Sequence, residues 1–192
     1  MERAESFRSQ VDRAAEILDA LYSIDTDSEG TEAPNLDQFL LSPETIRAFF
    51  VAWLSDDWSL DSKPSERIFE ILRNKESNIA EVLAEILVKN LTMSSAMVLR
   101  HQQDGKDDLA KGSRIVQKRT EMVMERLGKD KTSAVSTCLQ SKSRELLAAI
   151  ESAKSNKGKD MPFKDFLARW NYDLKQLDAM EDSLNSVFKT SC

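Results

Sequence analysis

Between Ile79 and His101 apolar side chains recur every three or four residues, at Ile79, Val82, Leu83, Ile86, Leu87, Leu91, Met97 and Val98, with no Gly or Pro among them. Val88, Met93, Ala96 and Leu99 widen that surface well past one stripe. A helix apolar over so much of its circumference is covered by other helices. The spacing therefore predicts a long central helix, about residues 77–103, inside an all-α domain.

The rest of the chain predicts helices around it. A first helix from about Arg3 to Tyr22 turns Phe7, Val11, Ala14, Leu18 and Leu21 to one face. A polar loop containing Gly30 and Pro34 follows, then a short turn over 36–41. Ser42-Pro43 combines a good N-cap with a residue tolerated at the first helical position, so a helix starts there and buries Ile46, Phe49, Phe50 and Trp53. After a break over 55–63, Pro64 opens a helix with Ile68, Phe69, Ile71 and Leu72 inward. Asp104-Gly105 reads as a tight turn. The next helix begins at Asp107 and Asp108, whose charge suits exposed first-turn amides. Its main face is Leu109, Ser113, Val116, Thr120, Val123 and Leu127, and Gly128 stops it. A further helix over about 132–154 buries Val135, Cys138, Leu139, Leu146, Ala149 and Ile150. Beyond the loop 156–160, Pro162 opens a short helix to Trp170, and Asp173 caps a last one with Leu177, Met180, Leu184 and Phe188 inward. No strand-like alternation of period two is sustained. The expectation is an irregular bundle of about seven to nine helices. Residues 1–160 form its core, and the C-terminal helix pair, 161–192, packs on that core within one domain.

The 192-residue length suits one domain with a substantial core. A net charge of −6 argues against nucleic acid or an anionic membrane as the main partner. Residues 1–70 carry 6 basic and 16 acidic side chains, so the acidity is concentrated there. Two cysteines, Cys138 and Cys192, make no disulfide framework and fit a reducing compartment. No uninterrupted apolar run approaches the ~18 residues that a bilayer span requires. The start, M-E-R-A-E-S-F-R, lacks the pattern of a secretory signal. The expected location is the cytoplasm. An organelle interior, chloroplast stroma or mitochondrial matrix, is the alternative if a transit peptide precedes this numbering.

Catalytic chemistry finds little footing. Asp25-Thr26-Asp27-Ser28-Glu29-Gly30 begins like a calcium-binding loop, but the twelfth position, where a bidentate Glu belongs, is Leu36. A helical di-metal site needs Glu-x-x-His pairs. The single histidine, His101, has Val98 three residues before it. Ser–His and Cys–His arrangements fail for the same shortage. No Gly-rich phosphate loop is present. The sequence thus predicts no metal site, no cofactor and no catalytic residue.

Several surfaces stand out instead. Ile115 and Met122 are seven apart and point away from the main apolar face of their helix, forming a second narrow seam. Trp58 and Leu60 lie in an acidic break between helices. Phe163, Phe166 and Trp170 give a short helix anchors at i, i+3 and i+7, a pattern suited to groove recognition. For both segments the competing reading is closure over the protein's own core. Asn90 and Ser94 fall four apart within the apolar face of the central helix. They are expected to bond each other or a neighbouring helix, because unpaired burial costs about 1–3 kcal/mol each. Lys111, Arg114 and Lys118 share one sector and read as a solvated, salt-bridged face, with phosphate contact as the alternative.

These observations predict a non-catalytic protein that acts through another protein or through self-association. One alternative is a carrier of an apolar small molecule or pigment near Asn90, Ser94 and Met97. The other is a nucleic-acid-binding helical domain using the basic face.

Overall fold

The computed structural model describes residues 6–23, 35–155 and 160–189, without the side chains of the last two. The calcium-loop lookalike, the Phe188 side chain and Cys192 fall outside what is described. Nine helices and no strand occur among the described residues. They are α1 (Phe7–Ser23), α2 (Leu36–Phe39), α3 (Pro43–Ser55), α4 (Lys63–Arg73) and α5 (Ser77–Gln103). α6 (Asp107–Gly128), α7 (Ala134–Lys154), α8 (Lys164–Trp170) and α9 (Leu174–Lys189) follow.

The expected central helix is α5. It lies against α6, α7 and α9 along much of its length, and α3 touches it as well. Leu83, Ala84, Leu87, Val88, Leu91 and Ala96 are fully buried on it. An 18-residue window of α5 reaches a mean hydropathy of 1.5, so it is the one described helix long and apolar enough to cross a membrane. That differs from the expectation, because the few charged residues in it, such as Glu85 and Lys89, interrupt the run without lowering the average far. Packing against α3, α6, α7 and α9 buries 56% of that window.

Local chemistry sets the helix starts. Ser42 accepts from the Thr45 amide at 3.2 Å while Thr45 Oγ1 accepts from the Ser42 amide at 3.3 Å. This reciprocal pair satisfies two donors that a helix end leaves orphaned. Ser62 and Ser65 repeat the device at α4. Gly105 turns the chain between α5 and α6 with φ 68°, a conformation glycine adopts without steric cost. Asp173 accepts from the Gln176 amide at 2.9 Å and starts α9 as expected.

The aromatic payload of α3 is central to the core. Phe49, Phe50 and Trp53 are all fully buried with Phe69 of α4. Trp53 meets Phe49 at 5.3 Å and Phe69 edge-on at 5.5 Å, within the favourable range for ring pairs. α9 is tied down by more than its apolar face. The Gln176 side-chain amide donates to the Ala96 carbonyl of α5 at 3.2 Å, and Lys154 of α7 pairs with Asp178 and Glu181. Two expected core positions are exposed. Phe7, in the first turn of α1, stacks under Arg47, and Leu109, in the first turn of α6, extends beyond the shared interface.

Candidate functional site

The helix α8 is held in an unusual way. Phe163 before it and Asn171 after it both have positive φ, at 65° and 46°. A left-handed Phe costs about 1–2 kcal/mol, so surrounding contacts must impose it. Lys89 of α5 supplies them. Its ammonium lies 5.6 Å from both the Phe163 and the Phe166 ring centroids and pairs with Glu85 on its own helix. The two phenyl rings meet nearly edge-on at 6.4 Å. Both are partly buried against the core. They therefore pack on the fold, and Phe166 keeps a face toward the neighbouring groove. Trp170, at the far end of the same helix, is 50% exposed.

That indole borders a groove of about 540 Å³ between α3, α5 and α8. Val51 of α3, Ile86 and Met93 of α5, and Phe166 of α8 give it an apolar floor. Val51 is itself 38% exposed. The charged lining is Arg47, Lys89 and Arg169 with Glu85 and Asp165; Lys89 pairs with Glu85, and neither arginine is ion-paired within the described residues. Asn90 faces this groove, not its supposed partner. The Ser94 hydroxyl donates to the Asn90 and Leu91 carbonyls, at 2.7 and 3.0 Å. The expected side-chain pair does not form, because a helical serine reaches its own backbone first.

The break between α3 and α4 is a packed hub. Leu60 is 4% exposed and belongs to the core, which corrects its reading as an anchor for a partner. Trp58 is partly buried, its ring 4.8 Å from that of Tyr22, and its indole N–H is enclosed without a hydrogen-bond partner. The Tyr22 hydroxyl accepts from Trp53 Nε1 at 3.2 Å and donates to the Ser59 carbonyl at 2.8 Å. From α6, Arg119 donates to the Trp53 carbonyl at 2.8 Å. Arg126 donates to the Leu60 carbonyl, pairs with Asp61 and Glu66, and covers the Phe69 ring at 4.1 Å. These cationic side chains hold the segment by its backbone, so its acidic sequence does not leave it open.

On α6, Ile115 is 40% and Met122 39% exposed, so the second seam exists and nothing in the described chain covers it. Met124 is buried on the opposite side of the helix. Lys111, Arg114 and Lys118 are exposed beside the seam. Lys118 interacts electrostatically with Glu121, but none of the three forms a close ion pair among the described residues, so this face is solvated and not salt-bridged as expected.

Reactive groups are muted. Burial raises the Cys138 thiol above its ordinary range, with Glu81 adding to it, which keeps it protonated and unreactive. His101 Nδ1 is enclosed without a partner. Among the described residues no three His, Cys, Asp or Glu side chains converge as metal ligands.

The sequence reading missed Arg47, Val51 and Arg169 as groove residues. Val51 carried a signal, since it falls on the arc of α3 opposite Phe49 and Trp53, where a polar residue belongs. No curated protein matches the chain, and no solved structure does. The family model described as uncharacterised conserved protein UCP020893 matches residues 6–187, nearly the whole of this helical bundle, and the chain belongs to that family.

Proposed function

We propose that this protein is a non-catalytic helical binding module, and that the groove between α3, α5 and α8 takes an amphipathic helix of another protein. The observation that carries this reading is Trp170, a half-exposed indole beside an exposed Val51, at the mouth of an apolar-floored groove. Exposed tryptophans rimmed by arginine are frequent energetic centres of interfaces. With Lys89 paired to Glu85, the two arginines outweigh the one remaining acid, Asp165, and favour acidic residues flanking the apolar face of the incoming helix. The carrier alternative is weaker, because the polar pair that would orient its ligand is not assembled. Nucleic acid is disfavoured by the net charge and by the lack of aromatic side chains beside Lys111, Arg114 and Lys118.

A photo-crosslinking amino acid placed at 170, at 51 and, as a control, at 111 tests the reading in cells that make the protein. Adducts at 170 and 51 should share one partner segment, helical in pattern and acid-flanked, that is absent at 111. Trp170→Ala should abolish capture at 51 while leaving the circular dichroism and melting temperature unchanged. Identical adducts at all three positions, or capture at 51 indifferent to Trp170→Ala, overturn it.

A further inference from the structure

A second cavity, of about 290 Å³, lies between α6, α7 and α9 and shares no residue with the groove. Its lining holds one enclosed hydroxyl that nothing among the described residues satisfies. Ser143 of α7 is 1% exposed, and its hydroxyl is enclosed without a hydrogen-bond partner. Buried hydroxyls are ordinarily satisfied, and a helical serine has its own backbone carbonyls within reach. Three further donors line the same cavity, the side chains of Gln140, Arg144 and Asn185, with Lys131 at its edge. Arg144 and Lys131 are exposed at the mouth of the cavity, and neither is paired with an acid among the described residues. Met124 and Val187, both buried, supply an apolar wall.

We infer that this cavity is a binding site for a small amphiphilic carboxylate. The chemistry follows from the inventory. The site is rich in donors and holds one acid, Glu125, so its formal charge with Lys131 and Arg144 is +1, which balances a monoanion. A guanidinium presents a fork that matches a carboxylate. The Ser143 hydroxyl gains an acceptor that the folded chain does not give it. The volume sits at the small end of ligand pockets, about 300–1,000 Å³, which limits the apolar portion to a short chain.

The test titrates the full chain with hexanoate, hexyl phosphate, inorganic phosphate and hexylammonium, read by amide chemical shifts. Hexanoate should shift residues of α6, α7 and α9 saturably, and hexylammonium should not. Arg144→Gln should weaken hexanoate about tenfold, the size of one lost charge-assisted bond. Ser143→Ala should weaken it several-fold without lowering the melting temperature, because the hydroxyl stabilises nothing in the free protein. That last pair of readings separates a ligand contact from a structural one. The inference fails if hexanoate does not saturate below about 20 mM, or if hexylammonium binds equally well. It also fails if Arg144→Gln changes affinity less than twofold. Tighter binding of hexyl phosphate than of hexanoate overturns the carboxylate assignment. Inorganic phosphate binding as tightly as either amphiphile marks an adventitious ion only.

Discussion

Tyr22→Phe removes one oxygen from the hub between α1, α3 and α4, and its consequence can be worked out in parts. Trp53 is fully buried, and its indole N–H donates only to that oxygen. Without it a buried donor is orphaned, at a cost of about 1–3 kcal/mol. The bond from Tyr22 to the Ser59 carbonyl is lost too, worth a net of about 0.5–1.5 kcal/mol. That carbonyl is not orphaned, because the Ser65 hydroxyl still donates to it at 2.6 Å. The ring stays and keeps its contact with Trp58. The sum is about 1.5–4.5 kcal/mol, a large part of a domain's typical stability of about 5–15 kcal/mol. Urea denaturation followed at 222 nm measures it, provided the m value is unchanged. In a Trp53→Phe background the orphaned donor is absent, so Tyr22→Phe should then cost only about 0.5–1.5 kcal/mol. The difference between backgrounds, about 1–3 kcal/mol, is the coupling between the two side chains. A Tyr22→Phe cost below about 0.5 kcal/mol, or an equal cost in both backgrounds, refutes the hub.

Two other outcomes follow from the packing. Leu184→Ala, at a fully buried site on α9, should cost about 2–5 kcal/mol and leave a single cooperative transition, whereas a separate early transition in thermal unfolding would show that the C-terminal helices are an independent flap. Lys142→Met should lose the bond at 2.8 Å that holds the Glu81 carboxyl below its ordinary range. A lowered folded-state value contributes stability above the unfolded one and loses it as pH falls through the folded one. The melting-temperature deficit of Lys142→Met should therefore be present at neutral pH and shrink as acid protonates Glu81; a deficit constant with pH refutes the pairing.

Helical periodicity made much of this fold legible, and it failed where no helix exists. α5 could be placed because its apolar residues cover an arc that only neighbours can hide. Ile115 and Met122 were found for the same reason, since a second arc on a helix has a direction. Leu60 had none. In the non-helical break after α3, sequence spacing does not say which side chain turns inward. The outcome depended on Arg119 and Arg126, about 60 residues further along, reaching back to backbone carbonyls. Ser94 was misjudged for a related reason. The argument that a buried hydroxyl needs a partner was sound, but the partner was the preceding turn. The groove was half legible. Trp170 is legible from its i, i+7 spacing to Phe163, whereas Arg47 and Val51 lie on the arc of α3 opposite its aromatic core, where spacing marks only a surface.

The positions of Phe163 and Trp170 carry the strongest argument that α8 does more than seal the bundle. A segment whose only role was closure could place Gly at the left-handed position before the helix, avoiding the steric cost. It could also end on a polar residue. Instead Phe163 occupies that position, anchored with Phe166 under the Lys89 ammonium, and the helix is fixed at both ends by left-handed turns. Seven residues so constrained give Trp170 a defined place on the groove edge instead of a mobile one. Rigid presentation of a large side chain lowers the entropy lost on association. Replacing Lys89 by Met should therefore speed amide hydrogen exchange in α8 more than it lowers the global melting temperature, since the ammonium acts on the two rings and not on the buried face of α5; unchanged exchange in α8 refutes the anchoring.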